Sequence, residues 1–546
     1  MSFRSCRLCP AIVAAVLFGI VAIPVMGQKR PAGPPSHENI LRGAYGQYRA
    51  NNKLISYDLD IRVDPKEKFI SGKNTITFRM LKEDTRIQLD LTEVLNVDKI
   101  VLGKVELKTT RDSGAVFVDF PKPLRAGKVY AIDFYYSGRP RQGGLGGISF
   151  DKDPSGHDWI TTFCEGLGAS LWWPNKDQWK DKVEEMRISV AVPSNLVEVS
   201  NGRFLGKREL GDGFTRWNWK VDYPINNYCV SVNAGNYRQF ADRSGSMALS
   251  FYALPEHLEG AKKQFAQCKG MIEAYQHYFG EYPFRKDGYK LIDVPYAGME
   301  HQSAVTYGNG FMNGYYGSDW TGVGISPRFD FIIIHESGHE WFGNAVSAQD
   351  ISDMWIHEGW TTYLEGLYVE YRWGKADGLK YVNGYKSKVA NTDPIISHRG
   401  ENAASTQDMY FKGALFLNTL RSVVNDDKVW FSLIHDLYQR FKYHAIMTED
   451  IVAFFTERMH TDMKPIFDQY LRHGKLVTLE LRFGDGAIDY RWIAEEPGFN
   501  MPIQVGENGD WRWIHPTTAW QSMKSNLTKD SIKVAADRFY VNVAKE

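Results

Sequence analysis

Cysteine is scarce in this chain: five residues in 546, with Cys6 and Cys9 inside the N-terminal apolar segment. Cys164, Cys229 and Cys268 remain. Three thiols cannot make a disulfide scaffold, and without a surviving C-x-x-C pair they offer no thiolate zinc site. At most one disulfide can form among them, and the sequence does not choose the pair. Net charge is missing as well, since 65 Lys and Arg balance 65 Asp and Glu. That balance removes the electrostatic case for nucleic acid or an anionic membrane as partner. Beyond residue 26 no apolar run is long enough to span a bilayer. Internal repeats and low-complexity tracts are absent too, which excludes repeat architectures.

What is present begins with an export signal. Arg4 and Arg7 form a positive region, Ala11 to Met26 an apolar one, and Val25-x-Gly27 a small-residue cleavage pattern. Residues 1–27 therefore read as a signal peptide, with a mature chain from Gln28 that is secreted or periplasmic and has no stable membrane insertion. A retained anchor is the rival, but the stretch is short and contains Pro24. Residues 28–49, rich in Pro, Gly and polar groups, read as a flexible leader. From 50 to 250 the chain alternates like strands: Tyr57, Leu59, Ile61 and Val63, then Ile76, Phe78 and Met80. From 251 to 475 the period turns helical, interrupted by a strand at Tyr289 to Val294. Alternation returns over 476–546, with Leu479 and Leu481, then Ile488, Tyr490 and Trp492. The expected fold is multidomain α+β: an N-terminal β domain, a mostly helical central domain and a small C-terminal β module. The 14% aromatic content fits large cores.

The central domain carries the chemistry. His335-Glu336-Ser337-Gly338-His339 reads H-E-x-x-H, and Glu358 follows after eighteen intervening residues. On a helix, residues four apart share a face, so both imidazoles can reach one metal ion. Glu358 can complete three protein ligands and leave a fourth position open, as a catalytic zinc site requires. Glu336 stands where a carboxylate can take a proton from water at the metal. Ser326-Pro327 predicts the start of the histidine-bearing helix, Phe329 to Phe342 its body and Gly343-Asn344 its end. A second helix is predicted from Ser352-Asp353 to Gly374.

These segments resemble the gluzincin zinc peptidases of the aminopeptidase N type. Ala297-Gly298-Met299-Glu300-His301 resembles that family's G-x-M-E-N exopeptidase motif, and Tyr410-Phe411-Lys412-Gly413 its Y-x-K-G segment, both in the family's order. The resemblance implies an N-terminal β saddle, a thermolysin-like catalytic domain and one Zn2+ per chain on His335, His339 and Glu358. It implies Glu336 as general base and Tyr410 as donor to a developing oxyanion. Gly298, Met299 and Glu300 would contact substrate, with Glu300 and Glu165 taking the cationic α-amine of a peptide with a free N-terminus. Glu365, seven residues after Glu358, can accept a hydrogen bond from a ligand histidine and fix its tautomer. His301, Phe163 and His357 depart from the family's usual Asn, Gln and Asn. His301 is expected to add positive charge below about pH 6.5. The function expected is a zinc aminopeptidase. A thermolysin-like endopeptidase and a non-catalytic peptide-binding protein on the same fold are the alternatives.

Overall fold

The computed structural model describes residues 34–142, 146–403, 405–507 and 509–546. The signal-peptide reading lies outside the described residues. The fold is α+β in three parts, with β-rich N- and C-terminal regions flanking a helical one.

In the first part, Asn52–Asp64 and Phe69–Met80 pair antiparallel, and their apolar positions Leu59, Ile61, Val63, Ile76, Phe78 and Met80 are buried on one face. They lie at the centre of an eight-stranded sheet. Asn52–Asp64 also pairs in parallel with Glu185–Pro193, Tyr57 opposite Met186. Sheets of three and four strands complete this region. One of them contains Asp158–Phe163, the strand that runs into Glu165.

Two expectations change here. The stretch read as a flexible leader is ordered where it is described: His37–Gly43 and Gln47–Ala50 are helical, and the Ser36 side chain caps the first. Arg49 anchors it, fully buried, with Nη2 2.7 Å from Asp90 Oδ1 and Nη1 on the carbonyls of Arg42 and Ala44. A single buried ion pair is invisible to composition. The boundary expected at 250 also moves. Arg238–Ser244 and Met247–Ala253 join a five-stranded sheet with Tyr289–Asp293, Val305–Tyr307 and Gly298–Met299. Alternation reports a strand but not the sheet it joins.

The helical part packs Gln267–Phe279, Phe331–Gly338, Trp355–Trp373 and Asp408–Val424 against one another. The C-terminal part holds a four-stranded and a three-stranded sheet. Lys412, fully buried, pins the connection that leads into it by donating from Nζ to the carbonyls of His473 (3.0 Å) and Gly474 (2.9 Å). Cys164, Cys229 and Cys268 are buried and free.

Candidate active site

The histidine-bearing helix is shorter than the sequence suggested. Ser326–Arg328 forms a separate 3-10 turn, and the α-helix runs Phe331–Gly338. Its N-cap is Asp330, whose carboxylate accepts from the Ile333 amide and from Tyr307 Oη at 2.7 Å. The Ser-Pro pair is a good start signal, but Asp330 owns the cap because Tyr307, Asn309 and Gln264 converge on it. His339 falls at the C-cap, one turn after His335. The second helix, Trp355–Trp373, carries Glu358 in its first turn and ends at Gly374 with φ 99°, a conformation suited to glycine.

These two elements bring three donors together. His335 Nε2 and His339 Nε2 are 3.3 Å apart, and Glu358 Oε2 is 3.4 Å from each. Three ligands about 2.0–2.1 Å from a tetrahedral zinc ion would lie about 3.4 Å from one another. The triangle therefore has the size that zinc requires. Glu358 Oε2 is buried without a hydrogen-bond partner among the described residues, a costly state that a metal ion relieves. The donor set, two imidazoles and a carboxylate, is that of catalytic zinc sites.

The far side of each imidazole is committed. His335 Nδ1 is 2.8 Å from Glu365 Oε1, and Glu365 Oε2 accepts from the hydroxyls of Tyr381 (2.7 Å) and Tyr385. His339 Nδ1 is 3.0 Å from the Phe342 carbonyl and 3.1 Å from Thr361 Oγ1. With Nδ1 protonated on both rings, Nε2 keeps its lone pair for the metal. Glu365 is fully buried.

Four carboxylates crowd this space. Ligand oxygens of Glu165, Glu300 and Glu358 lie within 4.8 Å of one another, and Glu336 lines the same cavity. Burial pushes Glu165 well above the usual carboxylate range, with Glu300 and Glu358 adding repulsion. Burial likewise raises Glu300, and it pushes Glu336 up to about 8. Such a set is stable as anions only beside positive charge. A divalent ion and an ammonium group together would supply it. Glu165 Oε1 is buried and has no partner among the described residues, so one oxygen stands ready for a donor.

Glu300 is held by a chain the sequence did not reveal. The Ala348 amide donates to His357 Nε2 at 2.8 Å, which makes Nδ1 the protonated nitrogen of that ring. Nδ1 is 3.4 Å from Tyr228 Oη, which donates to Glu300 Oε1 at 3.1 Å. His357 stacks on Trp179 with ring centroids 5.2 Å apart, and burial pushes it down to about 3. It is a neutral spacer. His301 is neutral too, which corrects the expectation of a positive charge near pH 6.5: it is fully buried and pushed down to about 3 by that burial.

Two glycine contacts set the geometry. A Cβ at Gly298 would meet Glu336 Cγ and Ile332 Cγ2 at 2.7 Å, so the short strand Gly298–Met299, which leads into Glu300, packs this close to the histidine helix because residue 298 has no side chain. A Cβ at Gly413 would lie 2.9 Å from Gly359 Cα. The helices carrying Glu358 and Tyr410 cross at that point, and the Tyr410 ring comes to 6.1 Å, centroid to centroid, from His335. Burial raises the Tyr410 phenol far above its usual value, with Glu358 next in effect, so it stays a neutral donor. Phe163 packs edge-on against Tyr296 at 5.6 Å and lines the cavity with Glu165.

A histidine pair and a glutamate on two crossing helices, under a β-rich domain that contributes an acidic residue, define a metallopeptidase-type centre. Residues 264–470 match the Peptidase family M1 domain and residues 53–229 the Peptidase M1 N-terminal domain. The chain belongs to peptidase family M1. It is 22% identical over 475 residues to endoplasmic reticulum aminopeptidase 1 of Rattus norvegicus, covering 81% of this chain and 50% of that protein. It is 24% identical to aminopeptidase N of Canis lupus familiaris, covering 70% and 44%. The chain thus spans about half the length of these relatives. Its fold is similar to a mutant M1 zinc metallopeptidase from Deinococcus radiodurans, with TM-score 0.67 and 20% identity over 79% of this chain and 96% of that one. The same protein has been solved with a Tyr-Ser-Ala substrate, with TM-score 0.65 and 19% identity over 80% and 97%.

Proposed function

We propose that this chain is a zinc-dependent aminopeptidase that removes N-terminal residues from peptides. The observation that carries the reading is the carboxylate pair Glu165 and Glu300, buried within 4.8 Å of the Glu358 oxygen. An endopeptidase has no use for two buried anions one residue's length from the metal. A free α-ammonium group fits them in charge and position, and the Tyr-Ser-Ala ligand of the Deinococcus radiodurans protein is a peptide of the right class.

His335, His339 and Glu358 hold the ion. Zinc held there would supply Lewis acidity to the scissile carbonyl and to water. Glu165 and Glu300 grip the ammonium and so set which peptide bond reaches the centre. Glu336 takes a proton from the attacking water and delivers it to the departing amine nitrogen. Tyr410 donates a hydrogen bond to the carbonyl oxygen as negative charge builds there. Glu365 keeps His335 in the tautomer that binds metal. The charged-then-apolar N-terminal segment supports export to a secreted or periplasmic location.

The test uses the zinc-loaded protein on aminoacyl reporter substrates with free and N-acetylated amines. Cleavage of the free-amine form alone is expected, and equal cleavage of both would remove the exopeptidase claim. Glu336→Gln should keep its zinc and lose at least about 100-fold in kcat.

A further inference from the structure

A second cavity, away from the metal centre, lies where the edge of the eight-stranded sheet meets the five-stranded sheet of the helical part. It is an open groove of about 690 Å3, lined by Phe204, Trp217, Trp219 and Tyr252. Ligand pockets typically enclose about 300–1,000 Å3. Two opposite charges, Asp287 and Lys290, line it, and each is only 4% exposed.

Lys290 and Asp287 attract each other, and Glu340 and Glu198 also lie near enough to favour the Lys290 charge, but none of these is a direct contact of Lys290. Among the described residues neither makes an ion pair. Lys290 donates to the Gly202 carbonyl and stands 5.4 Å from the centre of the Trp219 ring. Asp287 Oδ1 accepts from the Asp222 amide at 2.9 Å, but Oδ2 is buried with no partner. Of the other cations lining the cavity, Arg203 pairs with Asp222 at 2.7 Å and Arg285 with Glu281 at 2.8 Å, whereas Lys286 stands 5.8 Å from the centre of the Tyr223 ring. The ammonium keeps spare donors and the carboxylate a spare acceptor, and unmet hydrogen-bonding capacity is costly in a buried group. A molecule placing a carboxylate on the first and an ammonium on the second relieves both. The aromatic wall is fixed for its apolar remainder. Trp219 Nε1 donates to Glu198 at 2.7 Å, and Phe204 lies 5.0 Å from Trp219 and 5.6 Å from Trp217, centroid to centroid.

We propose that this cavity binds a free zwitterionic α-amino acid with an apolar or aromatic side chain, its carboxylate on Lys290, its ammonium on Asp287 and its side chain against Trp217 and Trp219. The site is separate from the metal centre, and its ligand is of the chemical class that an aminopeptidase releases. The binding claim does not depend on the peptidase reading.

Calorimetric titration of the zinc-loaded protein with L-phenylalanine, in saturating hydroxamate to occupy the metal centre, should show one remaining site per chain. Lys290→Met and Asp287→Asn should each weaken that site at least tenfold while kcat/KM on an aminoacyl reporter stays within twofold. N-acetylphenylalanine and phenylalaninamide, each lacking one charge, should bind at least tenfold more weakly. Ser250→Phe, which fills the cavity from the sheet side, should abolish the site, and thermal unfolding of each variant verifies folding. No remaining site, or a site unchanged in folded Lys290→Met and Asp287→Asn, overturns the proposal. Equal binding of the amide overturns the carboxylate contact, and equal binding of the N-acetyl compound overturns the ammonium contact. Failure of the hydroxamate to bind would count against the peptidase reading alone, because the Lys290 and Asp287 variants still report this site.

Discussion

His335 Nδ1 and Glu365 Oε1 are 2.8 Å apart, deep in the helical core, and Tyr381 and Tyr385 saturate the second oxygen of that carboxylate. The imidazole is thereby locked in both tautomer and orientation before any metal arrives. Glu365→Gln retains the shape but loses the anionic acceptor. It is expected to weaken zinc binding about 10–100-fold, read by competition with a calibrated chelator, and to leave KM nearly unchanged once zinc is saturating.

Tyr410→Phe removes one hydroxyl from a well-packed helix. Because that hydroxyl is assigned to charge that develops only during reaction, kcat should fall about 100–1,000-fold with little change in KM. A rise in KM with kcat intact would move Tyr410 from the reacting carbonyl to substrate binding.

Glu300→Ala takes away one of two anions assigned to the α-amine. A charge-assisted contact is worth about 1.5–3 kcal/mol, so KM should rise about tenfold or more on free-amine substrates. Tyr228→Phe, which leaves Glu300 in place but removes its 3.1 Å donor, should raise KM by a smaller factor. An unchanged KM in both would argue that Glu300 does not meet the amine.

Away from the centre, His257 Nδ1 lies 2.7 Å from Asp293 Oδ2, and this hydrogen bond raises the histidine above its ordinary value. A group whose folded value is raised adds stability that is complete below its unfolded value of about 6.5 and is lost as pH climbs through the folded value. His257 is partly exposed, so the effect should be no more than about 1 kcal/mol. In urea unfolding, the stability difference between wild type and His257→Gln should therefore shrink from pH 6 to pH 8.5. A difference that grows over that range would reverse the assignment.

Much of the centre was legible because its chemistry is written in fixed spacings. His335, His339 and Glu358 sit on helices whose phase follows from residue count, and the strands around Leu59 and Ile76 show their faces by alternation. The Asp330 cap was missed because three distant side chains decide it. Arg49 was read as part of a mobile stretch because its partner, Asp90, lies in another element. Tyr228 and His357 acquire their roles only when the N-terminal region docks on the helices. Gly298 and Gly413 stood in recognisable segments, but the sequence does not say that the first lies against the Glu336 and Ile332 side chains or that the second touches the Gly359 backbone. Local pattern reports periodicity and donor type, whereas cross-domain contacts are set by packing.

The parallel pairing of Asn52–Asp64 with Glu185–Pro193 has a temporal meaning. A chain made from its N-terminus presents the earlier strand long before its neighbour exists, and a hairpin with Phe69–Met80 protects only one of its edges. Closure of that sheet waits on distant sequence, which slows folding and leaves a sticky ribbon open to other chains in the interval. Crowded production at high expression should therefore favour aggregation, and slower synthesis or a holdase chaperone should raise the yield of native protein.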